Sequence, residues 1–346
     1  MEYQDWDRLR PIGLTPTVMQ SLGALDAPGL PMRITEVHRA TLAVTDGEQE
    51  HAARVHPSLR HASALAVGDW VAAERSANEL WIHARMPPIT ELSRRDSDGR
   101  SQVLVSNVDT ALLVMGLDGD FNLRRLERYL AMVTPAGLWP VVVLTKADLS
   151  SDSDDRRAEV SSRIGAHIDV HAVNALERSA AGALASYMGV GQTLVLLGSS
   201  GAGKSTLTNA LLGAEVQTTG AVREDDSRGR HTTTVRTLHR LASGACVIDT
   251  PGLRGLAPAI DEASLAASFH DIQTLASGCR FRDCSHDDEP GCAVRAGIAS
   301  DRLDNYHKML RDIRRESMTP LERRELLSVW KARAKGAAVR MKMKRG

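Results

Sequence analysis

The sequence predicts a multidomain α+β protein: a small N-terminal β-barrel, a central doubly wound α/β domain and a C-terminal helical segment that binds a metal. Three observations predict it. Short β-prone runs separated by turn residues fill residues 32–92; strands then alternate with helices around a glycine-rich loop; and Cys279, Cys284 and Cys292 fall within fourteen residues, with His286 among them. A chain of 346 residues has room for two or three domains at about 100–200 residues each.

Residues 1–31 carry Pro11, Pro16, Pro28 and Pro31 and are expected to form an N-terminal extension with little regular structure. The barrel follows over 32–92. Its five runs are "MRITEVHRA", "TLAVTDG", "EHAARVH", "GDWVAAER" and "ELWIHARM". Five strands at this spacing suit an OB-like barrel, a periodicity that an SH3-like barrel shares.

After the polar stretch "SRRDSDGRSQ" the rhythm changes, and the central domain is placed at 101–258. "TALLVMG", "VVVLT", "DVHAV" and "TLVLLG" are strand runs, with helices expected at "NLRRLERYLAMV", "DDRRAEVSSRIG" and "ALERSAAGALASYM" between them. "TLHRLA" and "ACVID" close the series. Residues 262–346 read as helical, interrupted by the cysteines.

The glycine-rich loop is the strongest motif. Gly198-Ser199-Ser200-Gly201-Ala202-Gly203-Lys204-Ser205-Thr206 fits the P-loop template, follows the strand "TLVLL" and opens the helix "STLTNALL". Glycines let the backbone curl so that N–H groups and the helix N-terminus face a triphosphate. Lys204 is assigned to the β- and γ-phosphates and Ser205 to Mg²⁺. In "CVIDTPGL", 45 residues beyond Lys204, a strand delivers Asp249 to hold a Mg²⁺-bound water, and the bare backbone of Gly252 comes to the γ-phosphate. Between the two lies "REDDSRGRHTTTVRTL", where Thr232 or Thr233, or the adjacent Thr234, completes magnesium coordination.

A base-recognition loop precedes all of this. Thr145-Lys146-Ala147-Asp148 ends the strand "VVVLT"; Asp148 can accept from the two N–H donors that guanine presents and adenine lacks, and Lys146 would cover the base with its aliphatic stem. A site built to pair those donors discriminates by about 10⁴-fold or more. Val173-Asn174-Ala175 resembles the second base-contacting loop. Base loops first and P-loop afterwards is the order of a circularly permuted GTPase, which is tolerable because domain termini lie near each other at the surface.

Cys279-x4-Cys284-x-His286-x5-Cys292 supplies three thiolates and an imidazole, a closed tetrahedral set for one structural zinc. Cys246, inside a strand, is assigned to the core.

With the barrel before it, "GRHTTT" and "DTPGLR" within it and the cysteine–histidine cluster after it, the chain resembles the bacterial RsgA (YjeQ) family over nearly its whole length. The resemblance implies a GTPase that acts with the small (30S) ribosomal subunit late in its assembly, with an OB-fold domain, a permuted GTPase domain and a zinc-binding domain. It assigns zinc to the same four residues.

Thr145 departs from the family's N-K-x-D loop, whose Asn amide ties the loop to the P-loop. One hydroxyl makes fewer bonds, and weaker nucleotide binding is expected. Asn174 stands where Ser is usual, at a contact made by backbone. Leu253 follows Gly252 where Ras-like enzymes place a water-orienting Gln, so intrinsic hydrolysis should be slow; His231 is the internal candidate for the catalytic role.

Composition bounds the rest. No apolar run approaches the roughly 20 residues that span a bilayer, and "MEYQDWDRLR" has no signal-peptide core, so a cytoplasmic protein with no membrane partner is expected. Net charge is zero, yet from Arg323 to Gly346 nine Lys or Arg residues face one acid, Glu325, a candidate phosphate-backbone surface. At 3% aromatics, base stacking is not expected to dominate any RNA contact.

Two classes of function follow. The first is a monomeric GTP hydrolase, binding GTP with Mg²⁺ and carrying one zinc, whose turnover is stimulated by the small ribosomal subunit and its rRNA and coupled to release. The alternative is an rRNA-binding chaperone or scaffold in which GTP is mainly a structural ligand, and Leu253 is its motive. An ATPase or kinase is disfavoured by Asp148.

Overall fold

The structure is a computed structural model that describes residues 3–318 apart from 26, 39, 60–63, 96–99, 178, 215–235, 251–256 and 259. The chain divides into two compact units, Met1–Ala259 and Ile260–Gly346.

The extension is not irregular. Helix α1 (Tyr3–Leu9), a 3-10 turn (Arg10–Ile12) and helix α2 (Pro16–Gly23) occupy it. Pro11 and Pro16 sit in first turns, where a missing N–H breaks no bond, and Thr15 caps α2 by accepting from the Val18 N–H. Leu9, Ile12, Leu14, Val18 and Leu22 are buried in the main core. Pro11 and Pro16 are helix starts, while Pro28 lies between α2 and the first strand and Pro31 within that strand.

Strands β1 (Leu30–Val37), β2 (Leu42–Thr45), β3 (Glu50–Val55), β4 (Trp70–Ser76) and β5 (Glu79–Arg85) match the five expected runs. They pair in the order β1-β2-β3-β5-β4 and close through β1–β4, with β3 and β5 parallel, into the expected five-stranded barrel. Its interior is apolar, from Met32, Ile34, Val44, Val71 and Ile82 among others.

The polar stretch after the barrel also has structure. Strands β6 (Glu91–Arg95) and β7 (Ser101–Ser106) pair antiparallel, and β14 (Ala257–Pro258) joins β6. Polarity hid this hairpin because few of its residues are buried, Leu92 on β6 and Leu104, Val105 and Ser106 at the end of β7.

The α/β layer runs β8 (Thr110–Gly116), α3 (Leu123–Val133), β9 (Trp139–Thr145), α4 (Ser153–Ile164), β10 (Asp169–Ala172), α5 (Ser179–Ala183), β11 (Thr193–Leu197), α6 (Lys204–Leu212), β12 (Thr237–Arg240) and β13 (Cys246–Asp249). Strand order is β10-β9-β8-β11-β13-β12; the first five are mutually parallel and β12 is antiparallel. Every residue of β8 and β11 is buried, as apolar runs covered on both faces require. The long helix expected over 175–188 is broken: Asn174 Oδ1 accepts from the Leu176 N–H and delays the start, and a 3-10 turn (Ala185–Tyr187) ends the segment.

Beyond β12 the sheet continues into the barrel, because β12 pairs antiparallel with β1 at Thr237 and Glu36. Arg33 of β1 fastens this corner. Its buried guanidinium donates to the carbonyls of Ile12, Gly68 and Asn107 and to Thr193 Oγ1 at 2.8 Å, joining the extension, barrel, hairpin connection and α/β sheet.

The second unit contains α7 (Glu262–Ser268), α8 (His270–Ala276), α9 (Ala293–Gly297) and α10 (Ser300–Ser317). Leu265, Phe269, Ile272, Val294, Met309 and Ile313 are buried. Arg302 clamps Asp271 with two bonds of 2.8 and 2.9 Å and lies over the Phe269 ring.

Candidate nucleotide site and metal centre

In open α/β sheets ligands gather beyond the carboxyl ends of the strands. Here those ends carry Thr145 (β9), Val173–Ala175 (after β10), the P-loop (after β11), Asp249 (β13) and the loop after β8, so the nucleotide residues scattered through the sequence share one edge.

The base loop and P-loop are bonded directly. Thr145 is fully buried, and its hydroxyl donates to the Ala202 carbonyl at 2.6 Å. Threonine thus does tie the base loop to the P-loop, through one hydroxyl where asparagine would use an amide. Lys146 adopts the left-handed conformation (φ 60°), unusual for a side chain with a Cβ, and its ammonium donates to the Gly201 carbonyl at 2.8 Å and to Asp118 at 2.6 Å. Backbone bonds hold that turn: Ala147 N–H donates to Val173 O, and Val173 N–H to Leu144 O. The two base loops are thereby one unit, with Val173 and Ala175 buried beneath it and Asp148 exposed on a 3-10 turn (Ala147–Leu149).

Two of the P-loop glycines sit against their neighbours with little room for a side chain. A Cβ on Gly198 would lie 2.4 Å from the Val114 carbonyl oxygen. Gly203 has φ +91°, and a Cβ there would lie 3.1 Å from Thr145 Oγ1. Lys204 opens α6 and is buried; its ammonium donates to the carbonyls of Gly198 at 3.1 Å and Ser199 at 2.8 Å. Burial lowers its pKa, against the opposing charges of Asp249 and Asp120.

Asp249 is the chemically conspicuous group. It is 1% exposed, and neither carboxylate oxygen has a hydrogen-bond partner within the described residues. Burial pushes its pKa up to about 6, although the nearby Lys204 charge pulls the other way. A buried carboxylate without partners is costly unless something completes it. This donor fits a water held by Mg²⁺, and the half-buried Ser205 hydroxyl at the start of α6 fits direct ligation. Bound there with GTP, magnesium would supply charge neutralisation at the phosphates.

Asp118 and Asp120 belong to no recognisable motif. Both lie in "LDGDFN", immediately after β8, and that position at the carboxyl edge of the sheet was the available signal. Asp120 accepts from the Ser199 hydroxyl at 2.5 Å and from Arg125 at 2.6 Å. His231, Thr232, Thr233, Thr234, Gly252, Leu253 and the basic tail fall outside the described residues.

In the second unit Cys279, Cys284, His286 and Cys292 come together, their ligand atoms all within 4.8 Å of one another. Cys279 Sγ is 3.9 Å from Cys292 Sγ and 3.6 Å from His286 Nδ1, which is 3.5 Å from Cys292 Sγ. A tetrahedron with sulfurs about 2.3 Å from zinc has edges of about 3.7 Å, so the set fits one zinc. His286 reaches it from a left-handed residue (φ 64°). The N–H of Val294, and then that of Ala293, holds the Cys279 thiol below its ordinary pKa. Burial and the neighbouring thiols push Cys284 up to about 11, so metal binding would displace the Cys284 proton.

Strand order, P-loop, base loops ahead of it in the chain and the buried strand-end carboxylate define a circularly permuted P-loop GTPase, a GTP-hydrolysing enzyme. A family model described as RsgA GTPase matches residues 86–258. The small ribosomal subunit biogenesis GTPase RsgA of Xanthomonas campestris pv. campestris (strain B100) is 45% identical over 303 residues, covering 84% of this chain and 82% of that protein. Its counterpart in Xanthomonas oryzae pv. oryzae (strain MAFF 311018) is 46% identical over 293 residues, 81% of this chain and 80% of its own. The chain belongs to the RsgA GTPase family. Among solved structures it shares its fold with YjeQ from Thermotoga maritima (TM-score 0.59, 23% identity, 82% of this chain and 98% of that one) and with YloQ, a circularly permuted GTPase (TM-score 0.56, 24% identity, 85% and 97%). No described helix is long and apolar enough to cross a membrane.

Proposed function

We propose that this enzyme works in ribosome biogenesis: in its GTP form it binds the small ribosomal subunit late in assembly, and hydrolysis, stimulated there, triggers release. The names of its Xanthomonas relatives, small ribosomal subunit biogenesis GTPases, support the partner. The observation that carries the mechanism is the buried Asp249 carboxylate, unpartnered within the described residues, beside Lys204 and at the foot of the switch segment. Magnesium on Ser205 and on a water held by Asp249, with Thr232 or Thr233 added when GTP is bound, would make that segment sensitive to the γ-phosphate. Gly252 would sense the same group, and the chain from there leads within a few residues into the zinc unit, a short covalent route to a surface gripping RNA. The barrel, the zinc unit and the tail from Arg323 would hold rRNA by shape and phosphate contacts. The protein is read as cytoplasmic and monomeric.

Leu253 offers no hydrogen bond to water, so His231 is assigned to orient it. GTP and ATP turnover with and without purified small subunits tests the whole reading. Strong stimulation of GTP turnover supports it; tight GTP binding without turnover under either condition would favour an rRNA-binding scaffold, and a preference for ATP would remove the guanine assignment. His231→Ala should abolish stimulated turnover and spare GTP binding; unchanged stimulated turnover would remove His231 from the mechanism.

A further inference from the structure

The loop after β8 touches both halves of the nucleotide site. Asp118 Oδ2 takes the Lys146 ammonium at 2.6 Å, the same ammonium that donates to Gly201 O at 2.8 Å, so the base-loop lysine is stretched between a carboxylate and the P-loop backbone. Two residues on, one oxygen of Asp120 accepts from the Ser199 hydroxyl at 2.5 Å and from Arg125 at 2.6 Å, while the other takes the Gly116 N–H at 3.2 Å. The loop is itself fixed: Asp120 N–H donates to Asp118 Oδ1 at 3.0 Å, and Arg156, lying over the Phe121 ring, donates to Leu117 O. Burial raises the Asp118 pKa, but the Lys146 ammonium and the Asp120 N–H more than offset it, and the carboxyl stays below its usual range.

We propose that Asp118 and Asp120 are positioning residues for nucleotide binding, a carboxylate brace that sets the Lys146 ammonium and the Ser199 end of the P-loop in the geometry GTP requires. A permuted chain has particular use for it. The base loop and P-loop lie far apart in sequence, so their relative placement must come from contacts through space, and this loop reaches one residue of each. The charge on Asp120 makes the opposite effect conceivable: it interacts with Lys204, and a carboxylate near the phosphates repels them unless Arg125 balances it. Position and repulsion predict opposite signs.

The proposal rests on assigning GTP to the P-loop and base loop, and the test separates the two. Intrinsic GTP turnover and binding of a fluorescent GTP analogue are measured for Asp118→Asn, Asp120→Asn, Ser199→Ala, the double variant Asp120→Asn/Ser199→Ala and Lys204→Ala, with melting temperatures taken without nucleotide. For Asp120→Asn the expected result is KM raised about tenfold, the scale of one charge-assisted hydrogen bond, with kcat within about twofold and melting unchanged. Asp118→Asn, whose ion pair is partly exposed, should raise KM about threefold. The double variant should cost less than the two single changes added together, because Asp120 and Ser199 share one contact. Unchanged or improved affinity in Asp120→Asn, or a KM change matched by lost melting temperature, overturns the proposal while leaving the site assignment intact if Lys204→Ala abolishes binding. Retained binding in Lys204→Ala would overturn both.

Discussion

The hydroxyl of Thr145 donates to the carbonyl of Ala202 at 2.6 Å, in a fully buried contact between residues 57 apart in the chain. This bond is the hinge pin of the permuted site. Threonine stands where the family's base loop carries asparagine, and the bond shows how one hydroxyl meets the need: β9 ends close enough to the P-loop that a two-atom side chain reaches.

Thr145→Val keeps the shape and deletes the donor, leaving the Ala202 carbonyl unpaired in a dry site. An orphaned buried acceptor costs about 1–3 kcal/mol. Nucleotide affinity should therefore fall about tenfold or more, as read by fluorescent-analogue titration. Equal affinities for variant and parent would show that the bond does not hold the loops for GTP.

Gly203→Ala should weaken nucleotide binding about tenfold. The left-handed φ of +91° strains any residue with a Cβ, and the added methyl would crowd Thr145 Oγ1 at 3.1 Å. The strain alone is about 1–2 kcal/mol, and relieving it means moving the N-terminus of α6 away from the phosphates. Binding within about threefold of the parent protein would contradict the packing described here.

Asp249 predicts a trade between stability and activity. Its folded pKa of about 6 lies above the unfolded value, so the folded state binds this proton more tightly. Stability contributed by that proton is present below about pH 4 and is lost as pH rises through about 6, a penalty of roughly 3 kcal/mol at neutral pH. Asp249→Asn should raise the melting temperature of the nucleotide-free protein at about pH 7.5, show little gain at about pH 4.5, and lose Mg²⁺-dependent GTP turnover. A lower melting temperature at both pH values would rule out an uncompensated buried charge.

One zinc per chain should be found by metal analysis. Cys284→Ser, or a strong chelator, should open residues 260–346 to limited proteolysis, since a small helical unit of this kind draws fold energy from its metal. GTP binding by the first unit should survive. A metal-free protein whose C-terminal unit resists protease as before would make the four residues an ordinary packing cluster.

Arg33→Met tests the corner between the barrel and the α/β sheet. It removes four donated bonds and strands the carbonyls of Ile12 and Asn107, while the Gly68 carbonyl keeps the Asn107 side-chain amide at 3.1 Å. A loss of about 3–5 kcal/mol is expected in denaturant unfolding, the scale seen when a buried charge network is broken. A shift under about 1 kcal/mol would mean that water reaches these carbonyls after the substitution.

Local chemistry was legible in the residues. The P-loop, the strand ends at Thr145 and Asp249, the five barrel strands and the zinc set each rest on short-range features: glycine spacing, apolar runs, ligand types in sequence proximity. Even the rearranged order of the GTPase domain was visible, because motif order is a property of the chain itself. Elements that depend on what covers them were not. The helices over residues 3–23 look polar and proline-broken until Leu9, Ile12 and Leu14 are seen in the main core, and the hairpin of β6 and β7 is mostly polar, with its buried apolar residues confined to Leu92, Leu104 and Val105. Asp118 and Asp120 gave no motif, since a carboxylate gains meaning only when the fold sets a lysine and a serine from distant segments within hydrogen-bonding distance of it. The substitution at Thr145 shows the division most sharply: its identity announced a lost amide, but whether the loops stay joined depended on how closely two backbones approach, a quantity set by packing across the whole sheet.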